Sequence, residues 1–252
     1  MKTAIVTGAS TGLGLEFVRN LETCFPEVER VWLIARNQAR LEEAASLLKR
    51  AQALVLPLDL CDGGSFDSFS AKLEEEKPEI TLLINNAGCG YLGNIGETDV
   101  ELQTRMIDLN TRALTAVTHL AVPYMADGGR IINLCSIASF CPNPRMTVYS
   151  ATKAFVAFFS RGLGVELKDR GIAVTAVCPG PMATEFLDVG RIAGNSKTFD
   201  TLPYCDPVKV AKGSLKASAK GRAVHTPRGF YKFYRILAKI LPQRLMIQFT
   251  KT

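Results

Sequence analysis

Histidine is nearly absent: His119 and His225 are the only two in 252 residues. That scarcity argues against a His-rich zinc centre and against a Ser-His-Asp hydrolase, since neither histidine accompanies a G-x-S-x-G nucleophile motif. No metal site is expected. The seven cysteines (24, 61, 89, 135, 141, 178 and 205) are odd in number and form no C-x-x-C pair, so they read as free thiols packed as small hydrophobes. No run approaches eighteen apolar residues, which argues against a membrane-spanning helix. The chain enters strand-like residues at Met1-Lys2-Thr3-Ala4-Ile5-Val6, leaving no room for a signal peptide, and a cytoplasmic protein is expected. Acidic residues are missing altogether from Pro207 onward, where eleven Lys/Arg stand. The first 206 residues hold nineteen Lys/Arg against twenty-four Asp/Glu, so the net charge of +6 comes from the C-terminal segment.

What is there is a rhythm. Short apolar, β-branched runs at 3–7, 31–35, 53–57, 80–84, 130–135, 172–177 and 222–226 alternate with helical-length segments at 12–23, 38–50, 65–76, 99–126, 148–170 and 207–220. Strands so continuously apolar are expected to be buried on both faces. The alternation predicts a single-domain α/β protein, a doubly wound parallel sheet in three αβα layers. The rhythm breaks at about 181–206, an aperiodic stretch placed where a loop over a ligand crevice would fall. Residues 1–226 are read as the catalytic domain and 227–252 as a basic, amphipathic extension.

The first strand runs into Thr7-Gly8-Ala9-Ser10-Thr11-Gly12-Leu13-Gly14 and then a helix. Glycines at 8, 12 and 14 clear side chains where a tight turn lets backbone N–H groups approach a pyrophosphate at a helix N-terminus. A plain structural turn is the alternative. The second strand ends at Ala35-Arg36-Asn37, with no Asp or Glu to bond a ribose 2′-OH. Arg36 is suited instead to a 2′-phosphate, which favours NADP(H) over NAD(H), unless it only opens the next helix in solvent. Asp59, at the third strand's end, is placed either to reach an adenine amino group or to cap a helix.

With these residues in hand, the chain resembles the short-chain dehydrogenase/reductase family of classical type, Rossmann-like in fold, over residues 3 to 226. The matching motifs are TGASTGLG at 7–14, DL at 59–60, NNAG at 85–88, Asn110, Ser136, YSATK at 149–153 and PGPMAT at 179–184. The resemblance implies Tyr149 as general acid/base, Ser136 as hydrogen-bond donor to a substrate carbonyl, Lys153 on the nicotinamide ribose, and Asn110 holding a water that links Lys153 to solvent. It implies cofactor contacts from Gly8, Ser10, Thr11, Gly12, Leu13, Gly14, Arg36, Asp59, Leu60, Asn86, Ala87, Gly88, Tyr149, Lys153, Pro179, Gly180, Met182 and Thr184. A homodimer or homotetramer is also implied.

A phenol with pKa about 10 is a poor base near neutrality. Lys153 lies at i+4 from Tyr149, on the same helix face. Two charges about 4 Å apart interact by roughly 4 kcal/mol at an effective dielectric of about 20, so the lysine is expected to lower the phenol's pKa by up to about 3, before desolvation erodes the effect. A Tyr and Lys at this spacing also occur as a plain surface stripe.

Between Ser136 and Tyr149, Phe140, Cys141, Pro142, Asn143 and Met146 offer apolar surface, as does the loop 183–205. With Ser136 and Tyr149 they predict a hydrophobic ketone or secondary alcohol, steroid-like compounds among those the family handles, in preference to a charged sugar or coenzyme A thioester. The tail is read either as peripheral attachment to an anionic membrane or as a helix closing the pocket or forming a dimer interface; no nucleic-acid motif accompanies its charge. A non-catalytic dinucleotide-binding redox sensor or scaffold is the alternative function, and the intact Ser136, Tyr149, Lys153 and Asn110 favour the enzyme.

Overall fold

In the first strand, β1 (Lys2–Thr7), Ala4 and Val6 point to one side and Ile5 to the other, and all three are shielded from solvent. The next, β2 (Arg30–Ala35), repeats the pattern with Val31 and Leu33 against Trp32 and Ile34. A period of two with both faces buried requires helices on each side of the sheet. The computed structural model describes residues 1–192 and 194–250. Ala193 of the expected substrate loop and Lys251 and Thr252 at the tail's end lie outside the described residues.

The remaining strands are β3 (Gln52–Pro57), β4 (Glu79–Asn85), β5 (Met125–Leu134), β6 (Ala173–Val177) and β7 (Val224–His225). All seven pair in parallel in the order β3-β2-β1-β4-β5-β6-β7, a Rossmann-like doubly wound sheet. On one side pack α1 (Gly12–Cys24), α2 (Gln38–Ala45) and, later in the chain, a helix at Pro207–Ala219, with Phe17, Leu21, Leu41 and Leu215 in one core. The other side holds α3 (Gly64–Glu76), a long helical segment over residues 100–121, and a helix at Thr147–Glu166, with Phe69, Leu73, Val117 and Leu163 against the sheet. Burying side chains such as Phe17 and Trp32 completely contributes about 1.5–3 kcal/mol each.

Three expectations are corrected. β3 and β7 are not buried on both faces: they are the sheet edges, and β3 is half-buried or exposed along its length. The single helix expected over 99–126 is interrupted. It runs as α4 (Val100–Ile107), a π-helical turn at Asp108–Ala113, and α5 (Leu114–Ala121), and Pro123 then tightens the chain into a 3₁₀ turn before β5 begins at Met125. The stretch 181–206 is not structureless: after α6 (Thr147–Glu166) come two short helices, α7 (Glu185–Val189) and α8 (Lys197–Thr201). The Cys205 amide donates to the Pro181 carbonyl at 2.7 Å and fastens the loop's two ends together.

The tail follows α9 (Pro207–Ala219) as α10 (Gly229–Ile240) and α11 (Gln243–Phe249). Tyr231 of α10 is fully buried and joins the core that holds α1 and α9. The C-terminal ends of β1, β4, β5 and β6 open onto a common crevice. Its centre is the gap where strand order reverses between β1 and β4, which is where open α/β sheets bind ligands.

Candidate active site

A cavity of about 740 Å³ occupies that crevice. At one end lies the glycine turn. Gly8 and Gly12 have φ of +65° and +52°, a region a side chain would strain. Gly14 does not line the cavity: a Cβ there would sit 1.9 Å from the Gly8 carbonyl oxygen, so its role is to let α1 press against the turn. Asn86 secures the same turn, its amide donating to the carbonyls of Thr7 and Gly8, both at 3.1 Å. Thr11 precedes α1 without a side-chain cap, and the first turn carries no acid. The N–H groups there are left to Ser10, Thr11, Gly12 and Leu13 on the cavity wall, which fits an anionic group such as a pyrophosphate.

Further along, Arg36 stands exposed at the end of β2 and lines the cavity. Asp59 and Leu60 line it beside Arg36. Burial alone would raise the Asp59 carboxyl, but the Cys61 amide at 3.0 Å and the Arg105 guanidinium at 3.2 Å outweigh it and hold it below the ordinary carboxylate range. It does not cap α3, whose N-cap is Gly63.

The catalytic candidates meet at the opposite end. Ser136 sits just past β5, and Tyr149 and Lys153 lie on the first turns of α6; all three are buried and line the cavity with Ala87, Gly88, Pro179, Gly180, Met182 and Thr184. Lys153 Nζ donates to the Leu134 carbonyl at 2.9 Å and lies 5.7 Å from the Tyr149 ring centre. This alters the electrostatic expectation. Burial pushes the Tyr149 phenol above its ordinary value, and only side-chain hydrogen bonding with Ser136 works the other way. Burial likewise lowers Lys153. The ammonium is oriented by a strand-end carbonyl over the ring face, so desolvation prevails over the expected lowering.

Asn110 occupies the π-helical turn, and of the polar residues there it alone is buried beside Asp108 and Thr111. Its amide donates to the Cys89 carbonyl (2.8 Å) and Thr152 Oγ1 (3.0 Å), while its oxygen accepts from the Cys89 amide (2.9 Å). It stands behind the cavity wall, bracing the strand-end loop against α6. Asn143 and Met146 line the cavity, but Phe140 and Cys141 do not. Phe140 packs on Tyr234 of the tail, ring centres 6.0 Å apart, and the Cys141 thiol faces Thr250 at 3.9 Å. The tail supplies an apolar surface that draws both side chains away from the crevice.

Several wall residues are not singled out by the sequence reading, two of them within the loop 183–205 that it assigns to the substrate. Phe186 and Leu187 of α7 close over Tyr149, with ring centres of Phe186 and Tyr149 5.8 Å apart. Arg40, Cys89 and Arg105 also line the wall. Arg40 has a legible signal, since it is a second arginine four residues after Arg36, on the first turn of α2. It reaches Glu185 at 3.0 Å, joining the glycine-turn end of the cavity to α7. His119 is exposed on α5, away from the cavity.

Gly180 has a reason of its own. A Cβ there would lie 2.2 Å from Tyr231 Cε2, so the glycine admits the buried tail tyrosine, whose hydroxyl donates to the Pro203 carbonyl at 2.8 Å. Gly180→Ala should therefore cost about 1–3 kcal/mol by overpacking. A thermal melt would register it as a lowered Tm, and a variant melting with the wild type would show that the ring yields freely.

A parallel sheet with a glycine turn at its switch point and a Ser/Tyr/Lys cluster at the far end of one crevice defines an oxidoreductase acting on CH–OH or carbonyl groups with a nicotinamide dinucleotide. The family model described as short chain dehydrogenase matches residues 2–191, and the chain belongs to that family. It is 30% identical to a Danio rerio very-long-chain 3-oxoacyl-CoA reductase-B, over 97% of this chain and 78% of that protein. It is 32% identical to the Anas platyrhynchos very-long-chain 3-oxoacyl-CoA reductase, over 90% of this chain and 73% of that one. Among solved structures, a short-chain dehydrogenase from Sphingobium yanoikuyae in complex with NADPH superposes with a TM-score of 0.81 at 29% identity, covering 98% and 95% of the two chains. The bulky-bulky ketone specific alcohol dehydrogenase from Comamonas testosteroni gives 0.77 at 29% identity, covering 98% and 94%.

Proposed function

We propose that the protein is an NADP(H)-dependent oxidoreductase that interconverts a ketone or aldehyde and an alcohol on a hydrophobic small molecule, with Tyr149 as acid/base. The observation that carries this reading is that Ser136, Tyr149 and Lys153 line one end of the cavity whose other end holds the glycine turn and Arg36. A nicotinamide cofactor held by the glycine turn, Arg36 and Lys153 would supply or accept the hydride. Ser136 donates a hydrogen bond to the substrate oxygen as negative charge grows there, and the Tyr149 hydroxyl transfers its proton to that oxygen in the reducing direction. Lys153, released from the Leu134 carbonyl, holds ribose hydroxyls and lends positive charge to the phenolate. Asn110 keeps Cys89 and Thr152 in place around them and completes the tetrad. A redox sensor or scaffold would have no need of this set.

The substrate walls are Met146, Leu187, Phe186 and Leu202, with Asn143 as a polar contact. They suit a bulky apolar ketone, steroid-like in size, and the similarity to a bulky-ketone dehydrogenase supports this. The similarity to two 3-oxoacyl-CoA reductases supports a second reading, a ketone on a long acyl chain. Exposed Phe155, Phe158 and Val165 on α6 offer an apolar face for a dimer or tetramer. The enzyme is read as cytoplasmic. A panel of apolar ketones and secondary alcohols, offered with each of the four nicotinamide cofactors and followed by nicotinamide absorbance, tests the reading; no turnover across the panel would refute it.

The pH dependence carries a sign. Reduction consumes the phenol's proton, and burial keeps that proton on Tyr149 above the usual phenol range. Reduction should therefore stay level through neutral pH, while alcohol oxidation, which needs the phenolate, should climb steadily toward alkaline pH. Initial rates in both directions, with chemistry limiting, check this; oxidation that is level or falls with pH would remove Tyr149 as the titrating group.

A further inference from the structure

The tail has three faces. At about 100° per residue, α10 turns Tyr231, Tyr234 and Ala238 toward the body of the protein. Lys232, Arg235 and Lys239 follow on the next arc, and Phe230, Phe233, Ile236 and Ile240, with half-buried Leu237 among them, fill the third. That third arc is in solvent: Phe233 is 60% exposed, Ile236 52% and Ile240 72%. On the same side of the sheet, α9 presents Lys209, Lys212, Lys216 and Lys220 along one exposed stripe at i, i+3, i+7 and i+11. No carboxylate side chain lies anywhere in residues 207–252 to neutralise these cations.

We propose that this face docks on an anionic lipid bilayer, the α10 apolar arc entering the interface and the adjoining lysines and arginines meeting lipid phosphates. Charge decides the occupant. A second copy related by a two-fold axis would set this cationic surface against itself, whereas a sheet of anionic headgroups complements it. The buried side of the tail gives the docking a purpose. Phe140 packs on Tyr234, Thr250 Oγ1 donates to the Pro142 carbonyl at 2.9 Å, and Tyr231 rests on Gly180 of the cavity wall, so the lipid-facing helix is packed directly behind the segments that form the site. An apolar substrate would reach the cavity from the bilayer; that purpose, though not the docking itself, rests on the hydrophobic-substrate reading.

The test uses the full chain, because truncation at residue 227 would strip Tyr231 from the core. Wild-type protein should pellet with phosphatidylglycerol/phosphatidylcholine vesicles, remain in the supernatant with phosphatidylcholine alone, and be released by high salt. Phe233→Ser/Ile240→Ser and Lys232→Glu/Lys239→Glu should each lower the partition coefficient about tenfold or more, each surface cation being worth roughly fivefold. Both variants should keep the wild-type melt and the wild-type rate on a small water-soluble ketone. Wild type that stays in the supernatant overturns the inference, as do variants that pellet like wild type. So does a wild-type dimer that Phe233→Ser/Ile240→Ser dissociates, because the face would then belong to a second copy. Pelleting is read without cofactor or substrate and turnover without vesicles, so failure of the docking and failure of the enzymatic reading give separate results.

Discussion

Tyr149→Phe should lower kcat by about 10²–10⁴-fold, the usual worth of a positioned acid/base, or roughly 3–5 kcal/mol of barrier. The substitution isolates one atom. The Phe ring keeps the packing against Met146, Leu187 and Phe186, so the cavity should hold its shape. What is lost is the hydroxyl and its hydrogen bonding with Ser136; Ser136 retains the Ala138 amide, which donates to its Oγ at 3.1 Å. NADPH binding, followed by titration calorimetry, should stay within about threefold of wild type, since the glycine turn and Arg36 are untouched. Ser136→Ala should be milder, about 10²-fold, because it removes a hydrogen-bond donor to the developing charge and leaves the proton source in place. A Tyr149→Phe enzyme within about tenfold of wild-type kcat would transfer the proton step to another group.

Much of this was legible in the sequence because it is local. The apolar runs mark the central strands, since burial on both faces leaves no polar position to interrupt them. Gly8 and Gly12 mark the turn because only glycine takes their φ without strain. The edges were not legible: the composition of 53–57 is that of a central strand, and only pairing partners distinguish β3. The π-helical turn was also hidden, since one extra residue in a helix barely disturbs its periodicity, yet it is what singles out Asn110 from Asp108 and Thr111.

The remaining differences trace to contacts far apart in sequence. Phe140 and Cys141 read as substrate wall because they lie between Ser136 and Tyr149. Their partners, Tyr234 and Thr250, are about a hundred residues away, and no pattern near position 140 announces them. The tail read as a basic extension, attached to a membrane or packed as a helix on the pocket or a dimer interface; which residue it packs against was not legible, and Tyr231 fills space that Gly180 leaves open. In the same way, i+4 spacing placed Lys153 on the face of Tyr149, but the Leu134 carbonyl determines where its ammonium rests. The helical period places the residues, and tertiary partners set the electrostatics.

Arg36→Asp should reverse the cofactor preference. Arg36 follows β2 on the cavity wall, exposed and able to offer two parallel N–H groups to a 2′-phosphate. A hydrogen bond to a charged group is worth about 1.5–3 kcal/mol, so losing it costs NADPH roughly 10- to 10²-fold in kcat/KM, and an aspartate adds repulsion to the phosphate. The new carboxylate gains a 2′-OH to accept from, so kcat/KM for NADH should rise and the ratio of the two should move by about 10²-fold or more. Arg40 supplies the internal control. It lines the same end of the cavity but already pairs with Glu185 at 3.0 Å, so Arg40→Gln should shift the ratio less, in the same direction. Steady-state kcat/KM for both cofactors decides between them. An unchanged ratio in Arg36→Asp would mean that Arg36 does not read the 2′-phosphate, and a larger shift in Arg40→Gln would move that role to Arg40 of α2.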